Sequence, residues 1–135
     1  MAAIGVQFDK VVVDRLKPLE GKVSVNNNSK ITDVKKIDVP FGKSNRPALR
    51  FDFEYSVDYA PDVAKITISG FVTALDKPEV IDEEDKKWKK EKKVSPDLMT
   101  EVLNHILARG SISALILSRE LGLPAPIELP KVRVK

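Results

Sequence analysis

Residues 49–59 read LRFDFEYSVDY. Leu49, Phe51, Phe53, Tyr55, Val57 and Tyr59 alternate without a break with Arg50, Asp52, Glu54, Ser56 and Asp58. Successive side chains of a strand point to opposite faces, so the pattern predicts a strand with one dry and one wet face. Ala60-Pro61-Asp62 supplies turn chemistry, and KITISGFVTAL from Lys65 alternates again through Ile66, Ile68, Gly70, Val72 and Ala74. The two segments predict an antiparallel hairpin. Upstream, VQFDKVVV around Val6 to Val13 and KKIDVPF around Ile37, Val39 and Phe41 read as further strands, with Val23 and Val25 a short extra piece. Gly21, the triplet Asn26-Asn27-Asn28 and the stretch from Gly42 to Pro47 punctuate them as turns.

After Leu75 the period changes. Lys77-Pro78 opens a charged insertion over about 77–94, and Ser95-Pro96-Asp97 predicts a helix start, with Ser95 as N-cap and Pro96 where no amide hydrogen is missed. Met99, Val102, Leu103, Ile106, Leu107 and Gly110 then share one helical face, continued by Ile112, Leu115 and Ile116, while Ala114, Leu117 and Leu121 occupy a second. Gly122 followed by Pro124 marks the stop, and LPAPIELPKVRVK, with three prolines, runs on as an extended tail. Strands first and helices last imply an α+β domain: an antiparallel sheet of about four strands with C-terminal helices on one face. Asp52, Glu54 and Asp58 keep the other sheet face wet. A helix apolar on more than one side must bury more than one side, so the surplus points to another subunit or another polypeptide.

The length of 135 residues suits a single domain over 1–135 with one core. The absence of cysteine excludes disulfides and cysteine-bound metals and suits a reducing cytoplasm. MAAIGVQFDK lacks the basic flank and apolar core of a secretory signal, and the longest mostly apolar run, ILARGSISALIL at 106–117, is too short to span a bilayer. The expectation is therefore a cytoplasmic chain with no membrane span. Net charge is only +3, from 23 basic and 20 acidic residues, which favours a local basic patch over a chain that coats nucleic acid.

Individual motifs point away from catalysis. Gly42-Lys43-Ser44 resembles the end of a phosphate loop, but Ile37 stands where that loop needs its first glycine. His105 is the single histidine, so neither a triad nor a histidine metal cluster can be built around it. The run Asp82-Glu83-Glu84-Asp85 lacks the glycine turn of a calcium loop; Asp82–Lys86, Glu83–Lys87 and Asp85–Lys89 instead pair acid before base at helical spacing. This predicts a solvated helix or a linker. Trp88 among Lys86, Lys87, Lys89 and Lys90 offers a second reading, in which lysines track phosphates and the ring stacks on a base, as in an RNA- or ribosome-associated protein. No enzymatic constellation and no cofactor are indicated.

The step Ala108-Arg109-Gly110-Ser111 and the tail LPAPIELPKV at 123–132 resemble the C-terminal end of the SecB export chaperones, where a helix runs into Arg-Gly-Ser/Thr and a Pro- and Leu-rich tail follows. The resemblance implies a SecB-like layout and an ATP-independent holdase that binds extended, non-native polypeptides in an apolar groove as a homo-oligomer, dimer or tetramer. Ile112 stands where the family commonly has an aromatic groove residue, and SALILSRELG and the charged tract at 82–93 are additional. The pI near 9.1 contrasts with the acidic character of the family, so docking to the same translocase motor is not implied. No tryptophan lies among the strands, where the family's crossover loop often carries one. The expected groove or interface residues are Ile112, Leu115, Leu123, Ile127 and Leu129: Ile112 from the motif, the others for their exposure-prone apolar character.

Overall fold

The structure, a computed structural model, describes residues 2–126, with side chains from Gly5 onward. Four strands, β1 (Ala2–Arg15), β2 (Ser24–Phe41), β3 (Ser44–Ala60) and β4 (Ala64–Leu75), are followed by two helices, α1 (Pro78–Glu91) and α2 (Pro96–Glu120). The sheet is antiparallel throughout, in the order β1-β4-β3-β2. This is a Greek-key arrangement: β2, β3 and β4 follow one another through hairpins, and the 16–23 crossover carries the chain from β1 to the far edge. The crossover is pinned where Leu16 and Lys17 donate to the Val63 carbonyl at 2.7 and 3.3 Å.

Alternation in β3 and β4 has the consequence expected of it. Leu49, Phe51, Phe53, Tyr55, Val57, Tyr59, Ile66, Ile68, Val72 and Ala74 are all buried beneath the helices. The opposite face is polar, and it is tied together around Arg50, which lies 3.9 Å over the Phe71 ring and bonds Asp52 at 2.9 Å through Nε. Gly70 is required by its surroundings: a Cβ there would sit 1.9 Å from the Gln7 carbonyl oxygen, opposite the register shift between Phe8 and Lys10 of β1.

Three local expectations are corrected. Val23–Val25 and Ile37–Phe41 are not separate pieces: β2 runs unbroken through Asn26-Asn27-Asn28, which pair with Asp58, Val57 and Ser56. The turn read at Gly42 to Pro47 is reduced to Gly42-Lys43, with Gly42 at φ +64°; this two-residue hairpin has no following helix to make a phosphate loop. The charged segment read as an insertion contains α1, which packs over β2 and β3 through Ile81 and Trp88. It is a covering layer of the core.

Helix α2 runs as one continuous helix through Gly110. Its buried row is Leu98, Val102, Ile106, Gly110, Ala114 and Ser118, each four residues from the next. Such an i+4 row slants around the axis, so a helix packed along it crosses the sheet obliquely; α2 touches all four strands. The small residues fall where the helix comes closest to the sheet. A Cβ on Gly110 would lie 3.1 Å from the Tyr55 ring, which explains why a glycine interrupts the aliphatic stretch 106–117. Arg109 leaves the buried row and lies 5.3 Å over Phe8.

The helix start differs from expectation in its chemistry. Ser95 is the N-cap but its hydroxyl does not cap the helix; instead the buried Glu84 of α1 accepts from both the Ser95 hydroxyl and the Ser95 amide, the latter at 2.9 Å. One carboxylate thus ties the middle of α1 to the start of α2. The stop is as read. Gly122 at φ +64° donates to the Arg119 carbonyl and Leu123 to the Ser118 carbonyl, at 3.1 and 2.8 Å, closing the last turn in a Schellman pattern. Among the described residues no helix is long and apolar enough to cross a membrane.

Candidate polypeptide-binding surface

Because α2 meets the sheet along the 98–118 row, the side chains next to that row face outward in its C-terminal half. Leu107, Ile112 and Ile116 are 48%, 59% and 58% exposed, with Leu103 and Leu115 half-buried beside them and Ala108 and Ser111 between. Ile112, expected at the groove, is therefore on the surface, and Leu115 flanks it. Leu107 and Ile116, placed by the sequence pattern on the same helical face as Ile112, are outside as well. The legible signal was the row of small residues Gly110, Ala114 and Ser118, which marks the side of closest approach and hence the side opposite.

Leu123 corrects a second expectation. It is 8% exposed and belongs to the core cluster. The segment after α2 turns back across the sheet, where the Tyr59 hydroxyl donates to the Pro124 carbonyl at 2.7 Å and Asn27 Nδ2 donates to the Pro126 carbonyl at 2.8 Å. The Tyr55 hydroxyl donates to Asn27 Oδ1 at 2.9 Å, which orients the amide so that its nitrogen points at the tail. Burial pushes the phenol pKa of both tyrosines up; for Tyr59 a hydrogen bond with Ser118 partly offsets it. Both rings therefore remain donors well into alkaline solution. Ile127 and Leu129 lie outside the described residues.

The basic segment on α1 is divided by the packing. Trp88 is 8% exposed, with its ring against the core, so it offers no face to a base and the stacking role is corrected. Lys86, Lys87, Lys89 and Lys90 are exposed. Lys87 lies 3.9 Å from Glu83 and 3.7 Å from Glu84, and Lys89 lies 3.0 Å from Asp85. Asp82 bonds Lys36 of β2, an ion pair that lowers the aspartate pKa and raises that of the lysine. The acidic run thus docks α1 on the sheet and neutralises part of its own lysines. His105 is exposed beside Asn104 and Ala108 on the outside of α2.

Among the described residues no group of three or more histidine, aspartate or glutamate side chains is placed to hold a metal ion. What the surface offers is a set of exposed aliphatic side chains on α2, Ile112 and Ile116 one turn apart with Leu107 on the neighbouring strip, and a pair of side-chain donors aimed at a backbone. The chain matches no protein-family model, no curated protein and no solved structure.

Proposed function

We propose that the protein is a cytoplasmic, ATP-independent holdase of SecB-like type, which holds extended, non-native polypeptides without a reaction or a cofactor. The observation that carries this reading is the exposed set Leu107, Ile112 and Ile116, large aliphatic side chains on one helix that the described residues do not cover. The β1 to β2 crossover and the two helices on one sheet face fit the layout that the Arg109-Gly110-Ser111 resemblance implies.

Magnitudes bear on how such a surface would work. Burying a large aliphatic side chain is worth about 1.5–3 kcal/mol, so covering three that are already half covered recovers about 1 kcal/mol each. A total near 3 kcal/mol corresponds to a dissociation constant of several millimolar, on the order of 5 mM. One such set on one chain holds a client only fleetingly. Useful retention needs several sets in one assembly, where linked contacts strengthen binding by about 10²–10⁴. This supports a homo-oligomer, and β1, paired on one side only among the described residues and carrying Val11 at 46% exposure beside Val12 and Val13, supplies an edge for it.

The test is suppression of client aggregation by the full chain, compared with a Leu107→Ser/Ile112→Ser/Ile116→Ser variant. The expected result is slowed aggregation with the unmodified chain and loss of the effect in the variant, at unchanged stability. Aggregation that proceeds equally fast with and without the unmodified chain removes the proposal.

A further inference from the structure

The tail Leu123–Pro126 is held in a way that depends little on what its side chains are. Two of its carbonyls, those of Pro124 and Pro126, are bound by side-chain donors of the sheet, Tyr59 Oη at 2.7 Å and Asn27 Nδ2 at 2.8 Å. The carbonyls are two residues apart, the spacing at which an extended chain presents successive carbonyls to one side. The donors are set rigidly. Tyr55 and Tyr59 are fully buried on the same face of β3, Asn27 stands opposite Val57 on β2, and the Tyr55 hydroxyl fixes the Asn27 amide at 2.9 Å. Alongside the bound carbonyls, the side chains of Leu123 and Pro126 are buried.

A cradle that reads backbone oxygens and offers apolar seats at Leu123 and Pro126 has the recognition chemistry of an extended polypeptide of loosely specified sequence. Proline suits it because it lacks an amide hydrogen that would otherwise need a partner, and because its fixed φ keeps the chain extended. Lifting the tail leaves both donors facing water, Asn27 being already exposed, so each tail hydrogen bond contributes only about 0.5–1.5 kcal/mol and the seat can change occupants.

We propose that the Tyr55–Asn27–Tyr59 cradle is a second client-binding site, which takes an extended Leu- or Pro-bearing segment of a non-native polypeptide, and that Leu123–Pro126 is its resident competitor. The inference rests on the holdase reading for the nature of the ligand. The apparent affinity for a client segment is reduced by the fraction of time the tail is seated, so loosening the tail raises it.

The experiment uses the full chain and a fluorescein-labelled peptide of the sequence Leu-Gly-Leu-Pro-Ala-Pro, that of residues 121–126, followed by anisotropy. Leu123→Ser unseats the tail and is expected to bind the peptide about tenfold more tightly than the unmodified chain. Within that variant, Tyr59→Phe and Asn27→Ala each weaken binding about fivefold, the weight of one neutral hydrogen bond. If Leu123→Ser unfolds the chain by circular dichroism, Pro126→Ala loosens the outer end of the tail and is judged by the same criteria. No gain on loosening, or a gain indifferent to Tyr59→Phe, overturns the cradle. The holdase reading fails separately: aggregation suppression that loosening leaves unchanged sinks the cradle alone, while peptide binding as expected by a chain that suppresses no aggregation supports the cradle and removes the holdase.

Discussion

Replacing Gly110 with alanine sets two effects of known size against each other. In a helix interior alanine is favoured over glycine by about 0.8–1.0 kcal/mol. Against this, the new Cβ would stand 3.1 Å from both Cγ and Cδ1 of Tyr55 and 3.3 Å from Cδ2, so the ring must retreat by a few tenths of an ångström. It has little room to do so, being fully buried with its hydroxyl held by Asn27 at 2.9 Å. Forcing a methyl group into such a site costs about 1–3 kcal/mol. The expected outcome for Gly110→Ala is a net loss of about 1 kcal/mol, and for the bulkier, β-branched Gly110→Val a loss of about 3 kcal/mol. Urea unfolding measures both, with the denaturant slope unchanged if only the native state is strained. A double-mutant cycle with Tyr55→Phe sharpens the test: without the tether to Asn27 the ring can shift, and the cost of Gly110→Ala falls by about 0.5–1 kcal/mol. If Gly110→Ala stabilises the protein by its helix propensity, the close packing of α2 on Tyr55 is wrong, and with it the assignment of which face of α2 points outward.

Other perturbations test the remaining joints. Gly70→Ala would place a methyl carbon 1.9 Å from a backbone oxygen of β1, which no side-chain motion can relieve; stability should fall by about 3 kcal/mol or more, and hydrogen exchange should show β1 losing protection first. A loss under about 0.5 kcal/mol would contradict the register of β1 on β4. Glu84→Ala strips the Ser95 amide and hydroxyl of their acceptor and is expected to cost about 2–3 kcal/mol, with Glu84→Gln restoring part of it; equal stability of the three proteins in thermal melts would count against the α1–α2 weld. Burial raises the pKa of Tyr55 and Tyr59 in the folded state, so above about pH 10 the unfolded chain binds fewer protons than the native one and stability declines as pH rises. Urea midpoints taken between about pH 8 and 11 should show the decline and should flatten in Tyr55→Phe/Tyr59→Phe; an identical slope in both proteins would refute that origin.

Much of the fold was legible because local periodicity states which side of an element is dry. LRFDFEYSVDY alternates, and every apolar member of it is buried; Gly122 before a proline tail closes α2 as its backbone freedom permits. The α+β order and the single covered face followed from there. The aliphatic character of the candidate surface was legible too, through Ile112, but its membership was not. The interval between Leu103, Leu107, Ile112 and Ile116 is compatible with either side of a helix until the oblique crossing on the sheet selects the row through Gly110, Ala114 and Ser118.

Asn26-Asn27-Asn28 carries every local mark of a turn, and a chain of 135 residues read in isolation has no means of opposing them. Pairing with β3 does oppose them, since backbone partners on Ser56, Val57 and Asp58 outweigh a side-chain preference, and it places Asn27 between Tyr55 and the returning tail. Trp88 follows the same logic: its lysine neighbours suggest a wet helix, and only the seat of α1 over β2 and β3 turns the ring inward. What the amino-acid order determined by itself is the face each segment must hide, because hydrophobic spacing acts within a few residues. Which partner hides it, and which apolar side chains are then left outside, depended on contacts between residues far apart in the chain, and those exist only once the sheet and both helices have assembled.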